Sequence, residues 1–545
     1  MSFNAPKRIK IEDFVIEDNI IKGVDEHFDE THSIGEHLLA TLSSKPQHVA
    51  QIEVETGKQT TFAEMKDRSV RCGIWLKKQG VGSNDIVVIC SKNNLDVYAP
   101  FFATFYAGGT FAGWNPFMVA SKPIQHLMKL FKPKIIFAGE DLVDALQKAA
   151  KLENVEAEFV VFGKHSSLPS FHDIIKLSTD EEVRTFRPQK INPQDNGLIV
   201  QTSGSTGFPK GVVHPYKNLL PAVGSFIPYC AVGDVVMWYS TCDWVTGIIF
   251  TLRSVLLRNT RIMHTQFEVE ETCRIIEKYK VNRVLLSHIA MGHMLKTNAL
   301  KRYDLHSLKL ICSGGSKVSI ELLQGFRDAL PNTLVLQVYG LSESGRAVMS
   351  QTENAKSVDS IGFVTPCNQA KIVDINSGKT LGANQPGEIC IKSPIMMTGY
   401  LNNPEATKEV LDDEGWLHTG DKGFYDEAGE FFIIERIKEM MKYQNFQISP
   451  TEIEEVLASH PGVMEVAVVP LPHPEDIDRP MAFVKIVPGS QVTEGELVNL
   501  SASVLGEIKK LRGGVKFLEN LPKTASGKIN RPVLKETAKA MAAAR

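Results

Sequence analysis

The chain has 545 residues, of which 43% are hydrophobic, 8% aromatic and 23% charged, enough for about three to four domains with sizeable buried cores. Sixty Lys and Arg against 63 Asp and Glu leave a net charge of −3, far from the strongly basic balance of a polyanion-coating protein. Disordered, collagenous and small disulfide-scaffold classes are excluded, and nucleic acid is not expected as the main partner.

The opening stretch, MSFNAPKRIKIEDFVIEDN, holds no apolar core of signal-peptide length. Beyond it, short β-branched runs alternate with helical patterns. Strands are expected at 85–90, 134–137, 158–162, 197–201, 283–286, 308–312 and 334–339, and amphipathic helices at 267–280 and 319–330. Near-continuous apolar strands between helices predict mostly parallel sheets with helices on both faces. The least polar long window, 235–252, contains Asp243 and several hydroxyls, and reads as buried strand and helix, not a membrane span.

From about Gly362 the strands shorten and turn residues multiply, which suggests a small β-rich subdomain at 362–436. After Arg436, Ser449-Pro450-Thr451-Glu452 supplies an N-cap, a first-turn proline and a capping-box glutamate. It opens a helix through Ser459. Strands near 463–470 and 481–487, a helix near 495–511, a strand near 514–518 and a helix after Pro532 should follow. The expected fold is α/β: a large N-terminal domain (1–436) that includes the β-rich subdomain, and a mobile α+β C-terminal domain (437–545).

Eight cysteines are scattered with no CxxC or CxH cluster, which suggests a reducing compartment and no structural zinc. The final AMAAAR is not an SKL-type peroxisomal signal; a cytoplasmic location is expected and a peroxisomal one left open. No obligatory protein partner is evident. Charge is unevenly spread. Residues 505–545 carry ten Lys and Arg and three Glu, a net +7 against −10 for residues 1–504, and such a basic end would attract polyanionic small molecules.

The sharpest local signal is Thr202-Ser203-Gly204-Ser205-Thr206-Gly207-Phe208-Pro209-Lys210-Gly211, after the apolar strand GLIVQ. Three glycines, four hydroxyls and a lysine at a strand end make a phosphate cradle. The lysine follows proline and no Ser/Thr comes after it, so this is not a Walker A loop. The string resembles the phosphate-loop signature of the adenylate-forming superfamily, which holds acyl-CoA synthetases, beetle luciferases and peptide-synthetase adenylation domains. Further motifs appear in that family's order: Tyr339-Gly340-Leu341-Ser342-Glu343, Trp416-Leu417-His418-Thr419-Gly420-Asp421, Glu435-Arg436-Ile437-Lys438, and Pro522-Lys523-Thr524-Ala525-Ser526-Gly527-Lys528.

The resemblance implies ATP, Mg²⁺ and coenzyme A as cofactors. It implies that Thr202, Ser203, Gly204, Ser205, Thr206, Gly207 and Lys210 hold the β- and γ-phosphates, and that Ser342 donates to phosphate. Glu343 becomes the Mg²⁺ ligand, a carboxylate suited to that ion. Asp421 would accept from the ribose hydroxyls with Arg436 beside it, and Gly314, Gly315, Tyr339 and Gly340 would frame the nucleotide. Lys528 would bind carboxylate and α-phosphate from the small domain. Lys438 would be the hinge of a domain rotation bringing Lys442 and Gln447 toward the adenylate for thiol transfer. Two positions depart from the pattern: Glu435 replaces aspartate and Asn445 replaces glycine.

The N-terminal EDNIIKG and the motif spacing look like the branch holding luciferases, luciferase-like acyl-CoA synthetases and coumarate–CoA ligases. Luciferases carry a histidine pair followed by Gly-Phe where this chain has Cys242-Asp243-Trp244-Val245-Thr246-Gly247; the W-V-T-G string resembles short- and medium-chain acyl-CoA synthetases. Trp244, His288, Gly315, Val338 and Gly340 are candidates for the acid pocket. Trp244 reads equally as a buried core residue, and His288 and His293 as ordinary partly buried histidines. The expected activity is that of an AMP-forming acid–thiol ligase, an acyl-CoA synthetase acting on a fatty or aryl carboxylic acid. The alternative is a luciferin monooxygenase using the same adenylation step. A peptide-synthetase adenylation domain would need an aspartate facing an amino group, for which Asp243 is the candidate.

Overall fold

The computed structural model describes residues 13–26, 33–119, 122–202, 209–224, 231–444, 446–524 and 527–543. The apolar runs become the inner strands of two large sheets. The first runs in the order Gly399–Tyr400, Lys210–Pro215, Asn196–Thr202, Thr110–Gly113, Ile86–Cys90, Ile135–Gly139, Glu158–Phe162. Its five strands from Asn196–Thr202 to Glu158–Phe162 are mutually parallel. All five residues of Ile135–Gly139 are buried, because helices cover both faces and leave no solvent side for alternation.

The second sheet has nine strands. Its parallel centre runs Leu334–Gly340, Leu310–Gly314, Arg283–Leu285, Val235–Met237, Thr260–Met263, Val49–Glu53, and short antiparallel strands close both edges. Helix Tyr98–Ala107 belongs to the core between sheets. Every one of its residues is buried, and Phe101 packs on Phe111 at 4.3 Å between centroids. A helix apolar all round lies inside a protein. Helix Phe62–Lys78, opened by the Thr61–Glu64 capping box, is amphipathic and packs against it.

The third sheet is wholly antiparallel: Phe14–Glu17, Ile20–Gly23, Gln369–Val373, Gly387–Lys392, Leu417–Tyr425, Phe431–Arg436. It recruits the N-terminal hairpin, a pairing over some 350 residues of sequence that local pattern does not carry. Phe363–Val364 and Gly399–Tyr400, by contrast, pair into the two large sheets.

The fourth sheet takes Phe446–Ile448, Met441–Tyr443, Ile477–Ile486 and Val463–His473, with Gly514–Phe517 parallel to Ile477–Ile486. Helices Pro450–Ser459, Glu494–Leu505 and Arg531–Ala543 accompany it. The helix expected at 495–511 stops at Leu505, because Gly506 takes φ +83° and a single 3₁₀ turn follows. The 235–252 window forms strand Val235–Met237 and helix Val245–Leu256. No helix among the described residues is long and apolar enough to cross a membrane.

Candidate active site

The motif residues gather where parallel strands end. Thr202 closes Asn196–Thr202, Gly314 closes Leu310–Gly314, Gly340 closes Leu334–Gly340, and His288 follows Arg283–Leu285. Carboxyl ends of parallel strands are where α/β folds bind ligands, since loops there are free to vary above a rigid sheet. Ser203, Gly204, Ser205, Thr206 and Gly207 lie outside the described residues. The strands on either side of that loop pair antiparallel, with Thr202 opposite Lys210.

Against the two strands that flank this loop, the 3₁₀ turn Ser342–Ser344 buries Glu343 to 8% exposure. The Tyr400 hydroxyl donates to Glu343 Oε1 at 2.7 Å, and the Lys210 ammonium lies 4.5 Å above the Tyr400 ring. The turn is pinned from behind by His214, whose Nε2 lies 2.8 Å from the carbonyl oxygen of Ser342. Burial pushes the His214 imidazole down to about 4, so it stays neutral and acts as a fixed donor. Neither Tyr400 nor His214 belongs to a motif read from the sequence; each is identified by contact across the fold.

The second group surrounds Asp421. Glu388 pairs with Lys422 and Cys390 with His418, so residues 419–421 bow out of strand Leu417–Tyr425. Three hydrogen bonds hold the bulge. Thr419 Oγ1 donates to Ile389 O at 2.7 Å, Gly420 N–H to Glu388 Oε1 at 2.9 Å, and Asp421 N–H to Thr419 Oγ1 at 3.1 Å. Gly420 takes φ +71°, the left-handed region that favours glycine. His418 Nδ1 lies 2.8 Å from Glu388 Oε2 and 3.5 Å from Cys390 Sγ. These three side chains group donor atoms within 4.8 Å, and their hydrogen bonds account for the cluster as a brace for the bulge.

Asp421 itself is 4% exposed. Its Oδ1 lies 2.7 Å from Arg436 Nε and its Oδ2 accepts from the Tyr339 hydroxyl at 2.6 Å. Burial pushes its carboxyl up while Arg436 and Tyr339 oppose that shift. Tyr339 is 8% exposed, so its most visible contact is through its hydroxyl, not through a ring face.

Lys528 completes the cleft. A Cβ on Gly315 (φ +82°) would sit 4.0 Å from Lys528 Nζ. Lys528 is exposed as a residue, while protein atoms crowd its ammonium. That crowding and Arg436 lower its pKa, against the pull of Asp421. His288, at the start of helix His288–Lys296, faces the same cations: burial, then Lys523 and Lys528, push it down to about 4. The fold thus brings Lys528, Gly315, Asp421, Arg436, Tyr339 and His288 to one cleft. Val338 and Gly340 are half-buried on its neighbouring strand, and Trp244 is half-buried at the start of helix Val245–Leu256, not sealed in the core.

Other expected residues lie elsewhere. Lys442 is exposed on the hairpin of the fourth sheet, its N–H donating to Asp478 Oδ2 at 3.0 Å. Lys438 sits in the 3₁₀ turn Ile437–Glu439 joining the third and fourth sheets. Asn445 and the side chain of Gln447 are outside the described residues. Asp243 is 6% exposed and its carboxylate is taken up by Asn115 (2.9 Å), Gln201 (3.3 Å) and Thr241; it is an internal brace, not a group presented to a substrate. Glu435 uses its extra methylene to reach the helix Pro450–Ser459, accepting from Ser449 Oγ at 2.7 Å and Thr451 N–H at 3.0 Å. A carboxylate there also suits the helix dipole.

The AMP-binding enzyme family model matches residues 39–401, and the AMP-binding enzyme C-terminal domain model matches 452–528. The chain belongs to the AMP-binding enzyme family. It is 30% identical over 506 residues to luciferin 4-monooxygenase of Photinus pyralis, covering 90% of this chain and 91% of that one. It is 31% identical over 523 residues to 4-coumarate-CoA ligase 1 of Narcissus pseudonarcissus, covering 92% and 93%. The solved luciferase-like enzyme from the nonluminescent Zophobas morio mealworm superposes with a TM-score of 0.72 at 32% identity, covering 77% of this chain and all of that one.

Within this AMP-binding family the chain stands on the adenylate-forming branch that joins luciferases and CoA ligases, and it is an AMP-forming acid–thiol ligase. The Glu343–Tyr400 and Asp421–Arg436–Tyr339 groups supply polar side chains to this cleft.

Proposed function

We propose that the enzyme activates a fatty or aryl carboxylic acid with ATP and passes the acyl group to coenzyme A. In the first step a carboxylate oxygen bonds to the α-phosphorus, the bond to the β-phosphate oxygen breaks, and pyrophosphate leaves. Two anions must meet, so positioned cations dominate the barrier. Lys528 supplies a compact, mobile charge to the carboxylate and α-phosphate. Asp421 exchanges its Tyr339 and Arg436 partners for the ribose hydroxyls. Thr202, Lys210, Ser342 and the loop 203–207 hold the outer phosphates, and Gly314, Gly315 and Gly340 let the nucleotide approach the backbone. Glu343 fits a Mg²⁺ ligand: it is buried against the strands that carry Thr202 and Lys210, one oxygen is set by Tyr400, and no hydrogen bond to Oε2 occurs among the described residues. Bound there, the ion would neutralise phosphate charge.

In the second step the thiol sulfur of coenzyme A bonds to the acyl carbon and AMP departs. The small domain rotates about Lys438, withdrawing Lys528 and bringing Lys442 and Gln447 to the cleft. The exposed position of Lys442 while Lys528 occupies the cleft supports this alternation. Trp244, His288 and Val338 border the acid. The observation that carries the reading is the Lys528 ammonium beside Gly315, in the same cleft as Asp421 and Arg436.

The likeness to luciferin 4-monooxygenases makes oxidation of an adenylate the second reading. The resemblance drawn from the sequence expects a histidine pair in a luciferase where this chain has Cys242-Asp243-Trp244, and this favours the ligase. The test is pyrophosphate release across a panel of carboxylic acids with and without coenzyme A, with acyl-CoA followed by chromatography and D-luciferin included. Acyl-CoA formation dependent on ATP and acid is expected. Pyrophosphate without any acyl-CoA, or sustained light, would displace the synthetase reading.

A further inference from the structure

Glu465, on strand Val463–His473, is a buried carboxylate between two parts of the molecule. Its side chain is 8% exposed. Oε1 lies 3.4 Å from Nε2 of His293, on helix His288–Lys296 of the large parallel sheets' side. Oε2 pairs with the ammonium of Lys523. Lys523 bridges Ile529 and so closes the base of the loop bearing Lys528, where Thr524 N–H also donates to Lys528 O at 2.6 Å. Burial pushes the Glu465 carboxyl up, but His293 and Lys523 outweigh it and hold the group at about 2. It is therefore ionised throughout the physiological range.

The contact does not stand alone. One turn along the same helix, the Lys296 ammonium donates to Ala458 O at 3.3 Å and to Val463 O. Lys317, two residues beyond Gly315, lies 3.0 Å from Glu455 on helix Pro450–Ser459. The strip joining the two parts is thus made of ion pairs and lysine-to-carbonyl bonds, the polar kind of interface that separates and re-forms. Glu465 holds a special place in it. Around His288 the cations Lys523, Lys528 and Arg531 are all felt, and Glu465 is the carboxylate that answers them there. Removing its charge frees Lys523, loosens the loop base, and takes away the carboxylate that offsets Lys523 and Lys528 near His288.

We propose that Glu465 is a positioning residue for Lys528, tying the base of the lysine loop to helix His288–Lys296 in the adenylate-forming arrangement. This rests on the reading of Lys528 given above. Because the tie must break for the thiol step, its loss slows the first half-reaction alone. A displacement of about 1 Å at a catalytic group costs up to roughly a hundredfold, so Glu465→Gln should lower the rate of acid-dependent pyrophosphate release by roughly ten- to a hundredfold, with acyl-CoA formation from supplied acyl adenylate kept within about twofold. Glu465→Asp should recover part of the loss. Lys523→Gln, at a more exposed position, removes the same tie from the other side and should show the same one-sided defect; it carries the test if the Glu465→Gln chain does not fold. Pyrophosphate release within about twofold of the unsubstituted enzyme, or equal slowing of both half-reactions, would overturn the proposal. Lys528→Ala, run alongside, separates the two failures. If it slows pyrophosphate release while Glu465→Gln and Lys523→Gln do not, only the positioning role falls; if it does not, the reading of Lys528 falls with it.

Discussion

At the scale of single residues, the cleft is built from polar groups whose partners lie far away in sequence. Tyr400 fixes one oxygen of Glu343. Tyr400→Phe removes that donor and leaves the carboxylate free to swing, costing about 1 kcal/mol of stability. It should raise the Mg²⁺ concentration needed for half-maximal pyrophosphate release by roughly tenfold; an unchanged Mg²⁺ requirement would count against Glu343 as the ligand. His214 makes a pH prediction. Its folded value of about 4 lies below the ordinary 6.5, so the unfolded chain binds a proton that the folded one refuses. Its contribution is fully present above pH 6.5 and is lost as pH falls through that value toward 4, by at most about 3 kcal/mol. Denaturation midpoints of His214→Gln should therefore fall less between pH 7 and pH 5 than those of the unsubstituted chain. Equal falls would show that His214 is not the titrating group.

At the scale of elements, the bulge 419–421 shows how one strand serves a site. A regular strand would point Asp421 by alternation alone; two extra residues and three hydrogen bonds aim it at Arg436 and Tyr339 instead. A Cβ on Gly420 would meet nothing nearer than Arg436 Nη1 at 3.9 Å, so Gly420→Ala strains the backbone without a clash. A cost of about 1–2 kcal/mol is expected, together with a higher KM for ATP and little change in kcat. A fall in kcat at unchanged KM would argue that the bulge serves the chemistry, not nucleotide binding. Glu435 links elements in another way, capping helix Pro450–Ser459 from the strand that ends at Arg436. Glu435→Ala should lower stability by about 1–3 kcal/mol, read as a drop in the denaturation midpoint. Glu435→Asp tests whether the extra methylene is needed.

At the scale of the whole molecule, the parallel core is legible in the sequence because its strands are continuous apolar runs. Ile135–Gly139 and Leu334–Gly340 fall within a residue or two of the expected bounds, as does helix Pro450–Ser459 through its Ser-Pro-Thr-Glu cap. What stays hidden depends on distant pairing. The hairpin Phe14–Gly23 joins strand Gln369–Val373, and nothing local states that. The motif residues are legible as strings, whereas Tyr400, His214, Glu388 and Glu465 act through contacts that only the fold brings about. The basic C-terminal end also reads differently once folded. Lys509 pairs with Glu452, Arg531 with Glu454 and Glu439, and Lys523 with Glu465. Much of that charge is answered internally. Lys528 is central to the chemistry proposed, and the most direct measurement is of the two half-reactions in Lys528→Ala. Acid-dependent pyrophosphate release should fall by at least about a hundredfold while acyl-CoA still forms from supplied acyl adenylate at close to the normal rate. Equal loss in both steps, or none in the first, would contradict it.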